Sequence, residues 1–344
     1  MNSDYKSYLL SPLFLGVILL ITLVGALFFG AYSMRFGEVW TAIFEASQDS
    51  TRFLILNIRL PRILLTALTG AGLAISGAAI QGLFRNPLAD QTLIGVTSGA
   101  MLFAVLSIVL MGSLLTAFAE VFRQASVAIF AFAGGVATTY LVYFLSRKEG
   151  KTYVMTMLLA GIAITAFAGA ITGVFIYLSD DQQLRDITFW SMGSFSGANW
   201  IQTGIVAPLI LGGIFLLNRY AKALNAILLG EREATYLGIP VEQTKSRIIL
   251  LTSLIAGVCI AMSGIIGFVG LIVPHLLRLL KGTDYHYLLK SSAIVGAIFL
   301  VLADTLARTI IAPAELPIGI LTATVGAPFF LWLLIRSQQK SLAI

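Results

Sequence analysis

Residues 59–84 read RLPRILLTALTGAGLAISGAAIQGLF. Two arginines, Arg59 and Arg62, flank Pro61. From Ile63 to Phe84 there is no acidic or basic side chain, until Arg85 closes the run. A helix needs about 20 mainly apolar residues to cross about 30 Å of hydrocarbon. The stretch satisfies that length, and its glycines, alanines and single Ser76 suit close helix packing inside a membrane.

Comparable runs fill most of the 344 residues. The chain is 58% hydrophobic and 11% charged, against about 25% charged residues in a soluble domain. Long apolar runs, rather than short alternating strands, exclude a closed barrel. The sequence therefore predicts an all-α polytopic membrane protein, a single transmembrane domain over 1–344. Ten spans are expected, at 12–33, 62–84, 93–112, 125–146, 153–178, 201–219, 248–265, 266–280, 288–310 and 317–336. The first apolar run, about 9–33, is longer than a signal-peptide core and is read as an uncleaved span. Between the seventh and eighth spans, SGIIGFVGLIVPHLLR carries three glycines and Pro274, which predicts a bend shielded by protein.

With the amino terminus inside, the inner segments hold 15 of the 22 basic residues, including all eight lysines. The outer segments hold Arg35, Arg52, Arg59, Arg62, Arg123, Arg185 and Arg308. That bias predicts both termini on the cytoplasmic side. The net charge of +6 is spread along the loops in this way and does not indicate nucleic acid. The single Cys259 excludes an intrachain disulfide. LAISGAAIQG (73–82) echoes IAMSGIIGFVG (260–270) in a span of opposite direction, an inverted repeat of the kind found in transporters; small-residue helix packing produces the same echo.

Candidate chemistry is sparse. GKT at 150–152 has Leu145 where a phosphate-binding loop needs its first glycine, so nucleotide binding is not expected here. Ser76 or Ser263 with His275 would be the elements of an intramembrane hydrolase, but no base is identifiable. His275 and His286 are too few for a metal site, and none is expected. An ion-driven secondary transporter would need a mid-membrane ionisable group. Asp304 is the main candidate, and its spacing from Arg308 suits an ion pair. The inner segment 219–247, RYAKALNAILLGEREATYLGIPVEQTKSR, has helical periodicity and a Gly-Ile-Pro stop, which fits a helix seated in a partner's groove.

RLPRILL, GAGLAISGAAIQGLFRNPLADQTLIGVTSGA, GEREATYLGIP, GIIGFVGLIVPHLLR, ADTLAR and AELPIGILTATVGAPFF together resemble the permease family of ABC importers for iron chelates, haem and cobalamin. The resemblance covers about 57–336. It implies a permease with no catalytic residues, paired with a second copy in the bacterial cytoplasmic membrane. It also implies two separate ATPase subunits that use ATP, an extracytoplasmic binding protein, and no cofactor on this chain. By resemblance, Arg59, Arg62 and Arg308 dock the binding protein. Guanidinium suits that role because it grips carboxylates bidentately, whereas simple snorkelling would need no partner. The coupling segment would act through Leu229, Gly230, Glu231, Arg232, Ala234, Leu237 and Gly238. The fifth span would line the path through Gly161, Ala168 and Thr172, with a cytoplasmic gate at Val154, Met155 and Leu159. The outer segment 183–200 would form a short helix at the mouth. LRDITFWSMGS looks most like haem permeases, with ferric siderophore or cobalamin as the other cargoes.

Overall fold

The computed structural model describes residues 11–44, 50–111 and 120–341. Its regular structure is helical apart from one small hairpin, in which Arg147 pairs with Thr152 and Lys148 with Lys151. In chain order the helices are α1 (Pro12–Phe28), α2 (Phe36–Phe44), α3 (Leu60–Leu83) and α4 (Val96–Leu106). There follow α5 (Glu120–Leu145), α6 (Val154–Tyr177), α7 (Asp181–Met192), α8 (Trp200–Asn218), α9 (Ala221–Leu229) and α10 (Glu231–Tyr236). The last four are α11 (Val241–Ser263), α12 (Val269–Lys281), α13 (Tyr285–Ala307) and α14 (Ile318–Ser341).

Among the described residues six helices are long and apolar enough to span a membrane, with shorter apolar helices at Pro12–Phe28, Val96–Leu110 and Ile318–Trp332. The eighth expected span, 266–280, is α12, whose 13 residues reach only about 20 Å at 1.5 Å per residue. Its deficit is the non-helical stretch 264–268 before it. That is the expected bend, although Pro274 lies inside α12 rather than at the break. Gly264 and Phe268 both take positive φ there. The backbone is shielded as a membrane requires: the Ser194 amide donates to the Ser263 carbonyl at 2.8 Å, and the Ile318 amide donates to the Gly193 carbonyl.

The opening stretch is the axis of the fold. Of the 24 residues of α3, 21 are buried, and α13, α11, α8 and α12 pack around it. Close approach depends on glycine. A Cβ at Gly70 would overlap the Gly296 carbonyl of α13, and one at Gly77 would overlap the Gly270 carbonyl of α12. The two echoed stretches thus meet, but not as conformational repeats. α3 runs unbroken through Ser76 and Gly77, whereas α11 ends at Ser263 and Gly264 turns the chain.

Two boundaries differ from the sequence reading. The second span is not opened by Pro61: helix is continuous from Ser50 to Leu83, with a π-helical turn over Leu54–Arg59 just before the proline. The Leu60 amide reaches back to the Ile55 carbonyl, and this wider turn accommodates the proline ring. The segment 219–247 is also shorter than expected. α11 already begins at Val241, and its first turns bury Val241, Thr244, Lys245 and Ile248 although 242–247 is polar throughout.

Candidate functional site

At the end of the bundle bearing the expected outer arginines, Arg59, Arg62 and Arg308 come together, but turned inward. They are only 5%, 7% and 4% exposed. Arg62 straddles Asp304 through two hydrogen bonds, Nη2 to Oδ1 at 2.8 Å and Nε to Oδ2 at 3.0 Å, and its Nη1 meets Glu315 Oε1 at 2.8 Å. Arg308 Nη2 donates to the Ala26 carbonyl at 2.9 Å, while its Nε lies 3.6 Å from Asp304. Arg59 donates to the carbonyls of Leu27 and Tyr32. The three guanidiniums are therefore paired within this chain and largely buried, and their expected role in docking a binding protein is a separate matter from that pairing. These guanidiniums hold the end of α1 and the connection after it onto α3 and α13. The Ala26 and Leu27 carbonyls are ones the end of α1 leaves without intrahelical partners, and that of Tyr32 lies in the connection after it. Asp304 makes the expected ion pair with Arg308 and a closer one with Arg62.

The fifth span, α6, is the least buried of the six long helices, with 17% of its apolar window buried against 83% for the helix containing α3. Its buried stripe is Met157, Gly161, Ala168 and Thr172. A Cβ at Gly161 would overlap the Leu93 carbonyl. The three positions expected to line a path instead pack against the rest of this chain. The opposite stripe, Met155, Leu159, Ile162, Ala166, Gly169, Gly173 and Tyr177, is exposed. Nothing lies within 4 Å of a Cβ placed at Gly169 or Gly173. Small residues on an open apolar face allow another helix or a bulky solute to approach closely. Val154 is half-buried beside Met155 at the start of α6. α7, the expected short helix, is N-capped by Asp180 in a capping box with Gln183.

At the lysine-rich end, α9 and α10 meet at Gly230, which has φ +141°. A side chain there would collide with the Glu233 carboxylate. α10 closes with a Schellman turn: the Ile239 amide donates to the Ala234 carbonyl, the Gly238 amide to that of Thr235, and Gly238 takes φ +80°. Ala234 is fully buried and fixes the helix to the body, while Leu229, Tyr236 and Leu237 project outward, Tyr236 at 88% exposure. Arg232 is exposed beside them and Glu231 is half-buried. A clasp joins α9 to α13. Asn225 Nδ2 donates to Asp284 Oδ1 at 2.7 Å, and the Tyr285 amide donates to Asn225 Oδ1 at 2.9 Å.

Sequence reasoning missed one buried cation at this end, Lys245. It is 2% exposed and bonds Glu231, Glu242 and the Thr152 carbonyl. The i,i+3 spacing of Glu242 and Lys245 was its only local signal. No nucleophile emerges at either serine. Ser263 Oγ donates to the Cys259 carbonyl at 2.8 Å, and Ser76 Oγ has no hydrogen-bond partner.

A glycine-packed bundle of long apolar helices, with one apolar face left open on α6 and a rigid knob bearing Leu229, Tyr236 and Leu237 at one end, defines a multi-pass helical membrane protein. The family model described as the FecCD transport family matches residues 18–336, and the chain belongs to that family, the permease subunits of ABC importers. It is 45% identical over 327 residues to the hemin transport system permease protein HmuU of Yersinia pestis, covering 95% of this chain and 96% of that one. It is 40% identical over 294 residues to the cobalamin import system permease protein BtuC of Halobacterium salinarum, covering 86% and 76%. Among solved structures, an inward-facing metal-chelate type ABC transporter superposes with a TM-score of 0.82 at 34% identity, covering 94% of this chain and 98% of that one. These relatives are transport permeases, not enzymes.

Proposed function

We propose that this chain carries haem across a bacterial inner membrane as one of two identical permease subunits, with both termini cytoplasmic. An extracytoplasmic binding protein delivers the cargo, and two ATPase subunits seat on α9 and α10. The haem assignment draws on the 45% identity to a hemin permease, against 40% to the cobalamin permease of Halobacterium salinarum. Ferric siderophore and cobalamin are the competing cargoes. The observation that carries the mechanical reading is the knob at Leu229, Tyr236 and Leu237. Apolar side chains on a helix locked by Gly230 and a Schellman turn suit a partner's groove. Cargo then passes along the exposed stripe of α6, and Val154, Met155 and Leu159 close its lower end. The buried arginines shape the delivery face from beneath without touching the binding protein.

The test is reconstitution in vesicles with the ATPase and the binding protein. ATP-dependent uptake of haem, but not of cyanocobalamin or a ferric hydroxamate, is the expected result. Uptake of either competitor in preference to haem would replace the assignment.

A further inference from the structure

The Lys245 ammonium has three N–H donors, and each goes to a different element. Nζ lies 2.7 Å from Glu231 Oε2 at the first residue of α10, and 3.1 Å from Glu242 Oε1 in the first turn of α11. The third acceptor is the Thr152 carbonyl at 3.1 Å, in the hairpin that leads into α6. Glu242 completes the triangle, since its Oε2 accepts from the Thr152 amide at 2.7 Å. Both main-chain polar groups of Thr152 are thus held by side chains of α11, two residues before Val154. Next to this triangle is a cleft of about 200 Å³ lined by Arg85, Thr152, Val154, Glu231 and Glu242 among others. Space on one side lets the joined elements shift together.

We propose that Lys245 is the positioning residue that transmits displacement of α10 to the inner end of α6. A lone surface ion pair would slip under load. Lys245 itself is buried, and from α11 its ammonium ties α10 through Glu231 and the hairpin through Thr152, while Glu242 of the same helix holds the Thr152 amide as a second tie. Movement of Glu231 with α10 therefore draws Lys245 and Thr152 with it, and Thr152 leads directly into the segment assigned to the gate. The inference rests on the proposed ATPase contact at α10.

The experiment uses the complete transporter in vesicles and reads cargo taken up per ATP hydrolysed. Destabilisation lowers both rates with the amount of active complex and leaves that ratio alone. In Lys245→Met the ratio should fall at least tenfold, and in Lys245→Arg it should recover to within about threefold of the parent. Glu231→Ala leaves Lys245 paired to Glu242 and Thr152, so it serves if Lys245→Met does not fold; its ratio should fall as well. An unchanged ratio in a folded variant that lacks the Lys245–Glu231 contact overturns the transmission role alone. Failure of the parent chain to co-purify with the ATPase overturns the reading of α10, and this inference with it.

Discussion

Arg62 and Asp304 are 242 positions apart in sequence and form a two-pronged ion pair, each only a few per cent exposed. Arg308 and Glu315 extend it on either side. Removing one member of a buried pair costs about 3–5 kcal/mol, because the other is left charged and dry. Arg62→Ala and Asp304→Ala should therefore each lower the thermal stability of the purified protein by that order. Charge reversal at Arg62 should reduce the yield of folded protein rather than selectively weaken the binding protein. The check is a melting curve in detergent beside a titration with the binding protein. Full stability with lost affinity would restore the docking role.

The two stripes of α6 make opposite predictions. In a Cys259→Ala background, cysteine at Gly169 or Gly173 should react with a membrane-permeant thiol reagent, at a rate that changes with nucleotide state. Cysteine at Gly161, Ala168 or Thr172 should be slow in every state. At Gly161 it should also destabilise the protein, since its Cβ has no room beside the Leu93 carbonyl. Equal labelling of the two sets would show that α6 rotates far from this arrangement.

Gly230 and Gly238 both take positive φ, but Gly230, at φ +141° and ψ 152°, lies in a region open essentially to glycine alone, whereas Gly238 is at φ +80°. Gly238→Ala should cost about 1–2 kcal/mol, the left-handed penalty for an L-residue. It should leave ATPase association measurable. Gly230→Ala forces an L-residue into that glycine-only region and should weaken association more. Co-purification of the ATPase with each variant gives the ranking, and the reverse order would refute the geometry.

The Asp284 carboxyl is held below its usual range, first by the hydrogen bond from Asn225 and then by the His286 amide. A depressed folded pKa contributes stability above the unfolded value of about 3.9. That contribution is lost as pH falls through the folded pKa. The Asp284→Asn variant should therefore lose its stability difference from the parent only below about pH 4. Melting curves from pH 3.5 to 7 test this. A difference that vanishes near neutrality would contradict it.

The expected apolar segments could be read from the sequence because hydrocarbon imposes a length. Their packing was less legible. α6 is apolar all round and has glycines on both sides, so periodicity could not tell Gly161 from Gly169; only the position of Leu93 does. The outer arginines could be read as a group, but their acceptors are Asp304 on α13, Glu315 after it, and the Ala26, Leu27 and Tyr32 carbonyls at and after the end of α1, beyond any local rule. Lys245 looked like a loop residue because the first turns of α11 are polar, and its burial depends on Thr152, 93 positions earlier. The α10 turn was legible because Gly-Ile-Pro specifies it locally.

The wrapping of α3 by later helices also has a consequence for synthesis. At about 5–20 residues per second, the ribosome adds Asp304 on the order of 10–50 s after Arg62. During that interval the axis of the bundle is already made, but the carboxylate that neutralises it is not. A nascent chain halted before α13 therefore carries Arg62 without its carboxylate and a glycine face of α3 without its cover.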